Sequence, residues 1–142
     1  MIRLREMRVE DVEYMKEHSA SNGIFKKMPE RLDYSYALVD DGEPLFVGGI
    51  SLLNPTVGWC WIDMTELGHK NAIISYRVIR DWMELMVKRH KLRRLMAFVE
   101  VGFDAGQRTV EHLGFTEEGT LRNMIDGKPA YLYAKLYDGE TK

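Results

Sequence analysis

The stretch "NAIISYRVIRDWMELMVKRH", residues 71–90, decides the fold because it carries the clearest helical periodicity in the chain. Its apolar residues form two neighbouring stripes at steps of three and four: Ala72, Tyr76, Ile79, Met83 and Met86 in one, and Ile74, Val78, Trp82 and Leu85 in the other. A helix that is apolar over so much of its circumference is expected to be covered on more than one side. The pattern therefore predicts a long central helix.

Two apolar segments flank this helix, and both are predicted to be strands. "TVGWCWIDM" precedes it at residues 56–64, and "RRLMAFVEV" follows at 93–101, apolar on both of its faces. A strand, a crossover helix and a second strand usually place the two strands parallel in one sheet. We therefore expect strands 56–64 and 93–101 to run parallel, joined by helix 71–90.

The remaining chain supplies further strands and helices on both sides of this unit. "IRLRE" is predicted to be a strand, "VEDVEYMKEHSA" a helix, and residues 22–35 an irregular segment with a short helix. Two hairpins are predicted, one about "DDGEP" and one about Asp126-Gly127. "DAGQRTVEHLG" is predicted to be a short helix closed by Gly114, and the pair Gly48-Gly49 indicates a bulge or a close backbone approach.

The order of these elements predicts an α/β (α+β) fold with a mixed central β-sheet of six to seven strands, flanked by about four helices. We expect one domain over residues 1–137 and a flexible C-terminal tail over 138–142.

Twenty basic and 22 acidic residues among 142 give a net charge of −2, which indicates no general affinity for nucleic acid. Cys60 is the single cysteine, and no apolar run is long enough to cross a membrane, so a cytoplasmic protein is predicted.

The basic run "KRHKLRR", residues 88–94, has two interpretations. A helix C-terminus followed by a solvated turn accounts for it, since cations favour that end of the helix dipole. A patch that binds phosphate or RNA is the alternative, and it would make the chain a nucleic-acid accessory protein. The four histidines show no metal-ligand spacing, so no metal site is predicted.

Three segments carry a resemblance to a known family. The opening "IRLREMRVEDVEYM", the internal "FVGGISL" and the closing "DAGQRTVEHLGFTEEGTLRN" resemble, in this order along the chain, the GNAT superfamily of acyl-CoA-dependent N-acyltransferases. The resemblance covers nearly the whole chain. It implies a GNAT-like sheet and an N-acetyltransferase that moves an acetyl group from acetyl-CoA to an amine of a small molecule or protein.

The chain departs from the family where coenzyme and substrate react. The family's phosphate loop is Gln/Arg-x-x-Gly-x-Gly/Ala, and the matching positions hold Leu67, Lys70 and Ala72, of which only the last agrees. The tyrosine that many family members use as a general acid falls at Val110. The asparagine that often lies near the coenzyme falls at Phe103. The phosphate loop is therefore degenerate.

The resemblance nevertheless assigns candidate residues. N-acyl transfer needs a base for the amine proton, and carboxylates at strand ends or a histidine can serve; the candidates are Asp63, Glu66, Glu100 and His112. The resemblance places the coenzyme along these residues: Ile62, Met64, Gly68, His69, Lys70, Asn71, Ala72, Phe103 and Arg108. Alternatively, "LGHKNA" is an ordinary strand–turn–helix joint, with Gly68 as the turn and Asn71 as N-cap.

A narrower resemblance suggests a different function. "PLFVGG", then "CW", then a basic helix without the glycine loop is similar to the small GNAT-like proteins of short-tailed phages, which include an internal virion protein. This implies a catalytically inactive GNAT-fold protein that acts by protein binding, as a virion component or against a host protein. Binding of acetyl-CoA separates this alternative from the enzyme.

Overall fold

A computed structural model describes residues 1–20 and 34–137 of the chain. Most of the predicted irregular segment 22–35 and the predicted tail 138–142 lie outside the described residues. The described elements, in chain order, are β1 (Ile2–Glu6), α1 (Val9–His18), β2 (Ser35–Asp40), β3 (Glu43–Asn54), β4 (Val57–Met64), α2 (Glu66–Lys70), α3 (Ala72–His90), β5 (Arg94–Glu100), α4 (Asp104–His112), β6 (Thr116–Ile125) and β7 (Lys128–Leu136).

The seven strands form one mixed sheet in the order β1-β2-β3-β4-β5-β7-β6. Strands β4 and β5 run parallel, with Val57 opposite Arg94 and Trp59 opposite Met96. The pairs β1–β2, β2–β3, β5–β7 and β6–β7 are antiparallel. This confirms the predicted fold class and the predicted parallel pair joined by the long helix.

Burial along α3 confirms one predicted apolar stripe and corrects the other. In the first stripe, Ile79, Met83 and Met86 are fully buried, at 1% exposure or less. The second stripe is buried at Trp82 but 53% exposed at Leu85. The helix is therefore buried mainly along one stripe.

The sequence did not predict α2. Its five residues, Glu66–Lys70, occupy the segment interpreted as a turn between strand and helix, so that interpretation is wrong. The chain divides into two compact units: Met1–Ser51 with Trp61–Ile79 (unit 1), and Leu52–Cys60 with Arg80–Lys142 (unit 2). Each unit is described separately below.

In unit 1, a buried ion pair fixes α1 on β1. The Asp11 carboxylate accepts two hydrogen bonds from the Arg5 guanidinium, at 2.7 and 2.9 Å, and a third from the Arg8 backbone N–H at 2.7 Å. Burial alone would raise the pKa of the Asp11 carboxyl, but these donors hold its pKa below the ordinary value. A carboxylate at the third helical position thus satisfies the N–H of the residue before the helix, as in a capping box.

The glycine pair in β3 confirms a close approach within unit 1. A Cβ at Gly49 would lie 2.8 Å from Trp61 Nε1 and 2.9 Å from Ser35 Oγ. A Cβ at Gly48 would lie 3.1 Å from the Trp61 carbonyl oxygen. The register shift lies elsewhere in β3, where Leu45 is the extra residue between the partners of Leu38 and Val39. Gly49 therefore makes room for the Trp61 indole, and Gly48 for the Trp61 backbone.

In unit 2, α4 ends in a turn that requires its glycine. Gly114 has φ +95°, its N–H donates to the Glu111 carbonyl oxygen at 3.0 Å, and the Phe115 N–H donates to the Val110 carbonyl oxygen at 3.0 Å. This pair of bonds is the Schellman arrangement. The predicted left-handed end of the helix at Gly114 is confirmed.

Both predicted hairpin turns are present. Asp41 and Gly42 have φ of 49° and 88° between β2 and β3, and Asp126 and Gly127 have φ of 49° and 78° between β6 and β7. Two successive residues with positive φ are typical of the type I′ turn, which matches the twist of the strands. The Asp-Gly pairs therefore set the register of each hairpin.

Candidate functional site

The end of β4 in unit 1 carries the most buried of the candidate bases. Asp63 is 1% exposed, and its Oδ1 accepts a hydrogen bond of 2.6 Å from the Ser19 hydroxyl. Ser19 follows α1, and the next residue, Ala20, donates its N–H to the Met64 carbonyl oxygen at 2.8 Å. The end of α1 is therefore tied to the end of β4 beside a buried carboxylate. No sequence pattern links residues so far apart in the chain, so the Ser19 contact was not predicted.

Thr65 starts α2 and anchors it to β3. Its hydroxyl donates to the Pro44 carbonyl oxygen at 2.8 Å and accepts the Gly68 N–H at 3.2 Å. Gly68 itself is buried, and a Cβ there would overlap the Leu45 carbonyl oxygen and come within 3.0 Å of its carbonyl carbon. The single glycine of the degenerate loop thus serves the packing of α2 on the backbone of β3.

The backbone donors of this segment are partly used by α2. The His69 N–H donates to the Thr65 carbonyl oxygen at 3.1 Å, and the Asn71 N–H to the Leu67 and Gly68 carbonyl oxygens at 3.2 Å each. The Asn71 side chain also donates to the Leu67 carbonyl oxygen, at 2.9 Å. Asn71 therefore ends α2 with its side chain. Its carbonyl oxygen accepts the Ser75 N–H at 3.0 Å, so Asn71 also stands at the predicted N-cap position of α3.

The first turn of α3 is exposed at its second and third residues and buried at Ser75. Ile73 and Ile74 are 73% and 38% exposed, and Ala72 is half-buried. The first N–H groups of a helix have no partner within it and lie at the positive end of its dipole. His69 and Lys70, both exposed, precede this turn. Of the other unit 1 candidates, Glu66 is exposed, Ile62 half-buried and Met64 buried.

The other candidates lie in unit 2. Glu100 ends β5 and is half-buried; Phe103 precedes α4, and its ring packs so closely on Gly106 that a Cβ there would lie 2.6 Å from Cδ2. Arg108 and His112 are exposed on α4. Val110, where the family has its tyrosine, is buried. An aliphatic core residue therefore stands where the resemblance implies a tyrosine.

A tyrosine that the sequence did not single out joins α4 to β7. The Tyr133 hydroxyl donates to Glu111 Oε2 at 3.0 Å and accepts from Gln107 Nε2 at 3.5 Å. Burial of Tyr133, together with the neighbouring Glu111 carboxylate, raises the pKa of its phenol, which stays protonated at neutral pH. The alternation of residues along β7 does not indicate this cluster, because the two partners of Tyr133 lie on α4.

The described residues were also compared with the requirements of a reactive cysteine, a metal site and a membrane-spanning helix. Burial raises the pKa of the Cys60 thiol to about 12, so this cysteine is an unreactive core residue. Within the described part of the chain, no three His, Cys, Asp or Glu side chains lie close enough to hold a metal ion. Among residues 1–20 and 34–137, no helix combines the length and apolar character needed to span a bilayer.

The basic run 88–94 forms a helix C-terminus followed by a turn, which is the first of its two interpretations. Lys88–His90 form the last turn of α3, and Leu92 within the run is buried. Arg94 binds Glu118 with both guanidinium nitrogens, one of them at 3.2 Å from Oε2. The run is therefore a helix end and a turn whose last arginine is paired.

Comparison with known proteins identifies the fold. The chain is similar to the ribosomal-protein-S5-alanine acetyltransferase of Vibrio fischeri, with a TM-score of 0.75 and 15% identity over 99% of this chain and 96% of that one. It is similar to a GNAT-family acetyltransferase of Bacillus anthracis, with a TM-score of 0.72 and 15% identity over 95% and 94% of the two chains.

A third similar structure is a chimera that includes the spermidine N-acetyltransferase SpeG of Vibrio cholerae, with a TM-score of 0.73 and 13% identity over 95% of both chains. No protein-family model matches the chain, and no curated protein matches its sequence. At such low identity the likeness establishes the fold: this chain folds as the GNAT acetyltransferases do.

Proposed function

We propose that the chain is an N-acetyltransferase that transfers an acetyl group from acetyl-CoA to an amine of a small molecule or protein. The observation that carries the proposal is the first turn of α3, exposed at Ile73 and Ile74, which follows β4 and α2 in a GNAT fold. Free N–H groups at the positive end of a 19-residue helix suit an anionic pyrophosphate. The acceptors named for the similar structures, a ribosomal-protein alanine and spermidine, are both amines, which supports an amine acceptor here.

The donors that would hold the pyrophosphate differ from those of a glycine loop. His69 and Asn71 use their N–H groups within α2, so the contact falls to the N–H groups of Ala72, Ile73 and Ile74. Lys70, exposed just before them, adds a positive charge. A Cβ on each of these residues keeps a phosphate further away than glycines would, so weak binding is expected.

The base is assigned to Asp63, with Glu66, Glu100 and His112 as further candidates. When bound, acetyl-CoA supplies the activated acetyl group. Asp63 accepts the amine proton directly or through the Ser19 hydroxyl, which already donates to it at 2.6 Å. Asp63 is favoured over Glu66 because it is 1% exposed, and a buried carboxylate can be held in a fixed position beside a substrate.

Titration calorimetry with acetyl-CoA tests coenzyme binding. The wild-type chain should bind, and Lys70→Ala should weaken binding by about tenfold or less, since one exposed charge contact contributes about 1 kcal/mol at most. Lys70→Glu should weaken it more, because it adds a negative charge. Lys88→Ala, an exposed lysine in the last turn of the same helix, is the matched control and should bind as wild type does.

Release of free coenzyme A in the presence of an amine tests catalysis. Asp63→Asn keeps the shape of the side chain but removes the base, so turnover should fall by about a hundredfold or more while acetyl-CoA binding is kept. No heat and no thermal stabilisation with millimolar acetyl-CoA would contradict the enzyme.

Two observations favour a second function. Helix α2 uses donors of the phosphate loop, and Val110 is buried where the family carries its tyrosine. A catalytically inactive protein of this fold, acting by binding a virion or host protein, accounts for both. For this function we expect no acetyl-CoA binding and a stable complex with one defined protein partner on gel filtration, unchanged by Asp63→Asn.

A further inference from the structure

A cavity in unit 1, distant in sequence from the α2–α3 segment, is lined by arginines. Its volume is about 470 Å³, within the range of roughly 300–1,000 Å³ that is usual for small-molecule sites. The walls come from β1, from the first turns of α1 and from the β2–β3 hairpin, and they include Arg3, Arg5, Arg8, Tyr14, Val39 and Pro44.

The charges of this cavity divide into paired and unpaired groups. Arg5 is committed to Asp11, and the amino group of Met1 to Asp41 and Asp40, at 2.7 and 3.2 Å. The guanidinium groups of Arg3 and Arg8 form no ion pair and donate no hydrogen bond among the described residues. Each guanidinium has five N–H donors arranged for a carboxylate or a phosphate.

The positions of the three arginines favour the binding of an anionic ligand. Arg3 and Arg5 alternate on one face of β1, and Arg8 stands next to the N-terminus of α1. Three like charges around one cavity repel each other, and within the cavity wall only Asp11 neutralises one of them at close range. Glu10 adds one carboxylate to the same wall, but it forms no ion pair with Arg3 or Arg8 among the described residues. An oxyanion bound by Arg3 and Arg8 would give these two guanidinium groups a partner of opposite charge.

The uncharged part of the wall indicates the rest of the ligand. Val39 and Pro44 are buried apolar residues, and Tyr14 is stacked on His18 with ring centroids 4.1 Å apart, which holds its ring in place. Fixed aromatic and aliphatic side chains beside cationic groups favour a ligand with an apolar or aromatic part next to its anionic group.

We infer that this cavity binds a small molecule that joins a phosphate or carboxylate group, held by Arg3 and Arg8, to an apolar part that lies against Tyr14. The inference does not depend on acetyl transfer. None of these residues belongs to the coenzyme or base candidates, so a chain without acetyltransferase activity can still bind such a ligand.

Calorimetry with three probes at constant ionic strength tests the inference. Phenyl phosphate and benzoate distinguish the two anionic groups, and inorganic phosphate lacks the apolar part. We expect one of the aromatic probes to bind more tightly than inorganic phosphate. Arg3→Gln and Arg8→Gln should each weaken that binding roughly tenfold, since a hydrogen bond to a charged group contributes about 1.5–3 kcal/mol. Arg122→Gln, an exposed arginine in unit 2, is the control and should bind as wild type does.

Thermal unfolding separates a ligand site from a structural role. If Arg3 and Arg8 serve a ligand, both variants keep or slightly raise the unfolding temperature of the free chain, because a like charge is removed, and lose the rise caused by the probe. Three results would overturn the inference: no aromatic probe binds at millimolar concentration, the variants bind as wild type does, or both variants unfold at lower temperature with unchanged probe binding.

Acetyl-CoA should bind equally to wild type and to Arg3→Gln. A loss of acetyl-CoA binding in this variant would show that the cavity is not separate from the coenzyme site.

Discussion

Gly68 and Gly114 stand in the two segments where the resemblance to acetyltransferases is weakest and strongest, and the structure needs them for different reasons. Gly68 lies inside α2, buried, where any Cβ would overlap the Leu45 carbonyl oxygen. Gly114 is exposed, with φ +95°, and closes α4. The first glycine is fixed by tertiary packing and the second by local backbone conformation.

At position 70, where the pattern that the sequence resembles has a glycine, this chain has Lys70, and the nearby Gly68 packs on the Leu45 carbonyl group. At Gly114, by contrast, the positive φ of the turn that closes α4 requires the glycine. Three substitutions, taken from the largest expected effect to the smallest, test the contrast.

Gly68→Ala is expected to lower the free energy of unfolding by about 3 kcal/mol or more, because α2 or β3 must shift to admit the Cβ. Urea unfolding followed by circular dichroism measures this. Gly119→Ala is the control: it has ordinary φ, and nothing lies within 4 Å of the added Cβ, so its stability should be unchanged or slightly higher. Equal stabilities for the two variants would show that α2 is not packed against Leu45.

Thr65→Val is expected to cost about 2 kcal/mol, since the isosteric change leaves the buried Gly68 N–H and the Pro44 carbonyl oxygen without the hydroxyl that bonds both. Thr109→Val in α4 removes a hydroxyl that donates to the carbonyl oxygen four residues back, Ala105, a type of bond that contributes little within a helix, and should cost less than Thr65→Val does. Thermal unfolding of both variants gives the comparison. A larger loss of stability for Thr109→Val than for Thr65→Val would contradict the role of the Thr65 hydroxyl in holding α2.

Gly114→Ala is expected to cost about 1 kcal/mol, the usual strain of a Cβ in the left-handed region. The added Cβ would lie 3.2 Å from Lys135 Cε, at the end of a flexible side chain that can move. Gly102→Ala, with φ +96° and nothing within 4 Å, measures the strain alone and should give nearly the same loss by urea unfolding. If Gly114→Ala costs more than Gly68→Ala, the contrast between packing and backbone is reversed.

The same contrast explains how much of the fold could be predicted. The helix over residues 71–90, the Asp-Gly turns and the end at Gly114 follow from residues close together in the chain, so periodicity and turn chemistry predicted them. Helix α2 was missed because five residues are too few for a periodic signal. Its start is set by Thr65 and by the β3 backbone, 20 residues earlier in the chain.

The candidate site was less predictable than the fold. Asp63 was found as a carboxylate at a strand end, but its contact with Ser19 joins residues 44 positions apart, and nothing local indicates it. The free donors of Ala72–Ile74, in place of those of His69 and Asn71, depend on where α2 ends. The arginine cavity combines β1, α1 and a hairpin, so only the folded chain brings its charges together.

Cys60, buried in β4, gives the chain a built-in reporter of its own opening. Its thiol is 4% exposed, and with a pKa of about 12 it carries almost no thiolate at neutral pH. An alkylating reagent can therefore modify the folded chain only as often as this part of β4 opens. Because the sequence has a single cysteine, the mass gained over time reports the rate of that opening directly, without any engineered label.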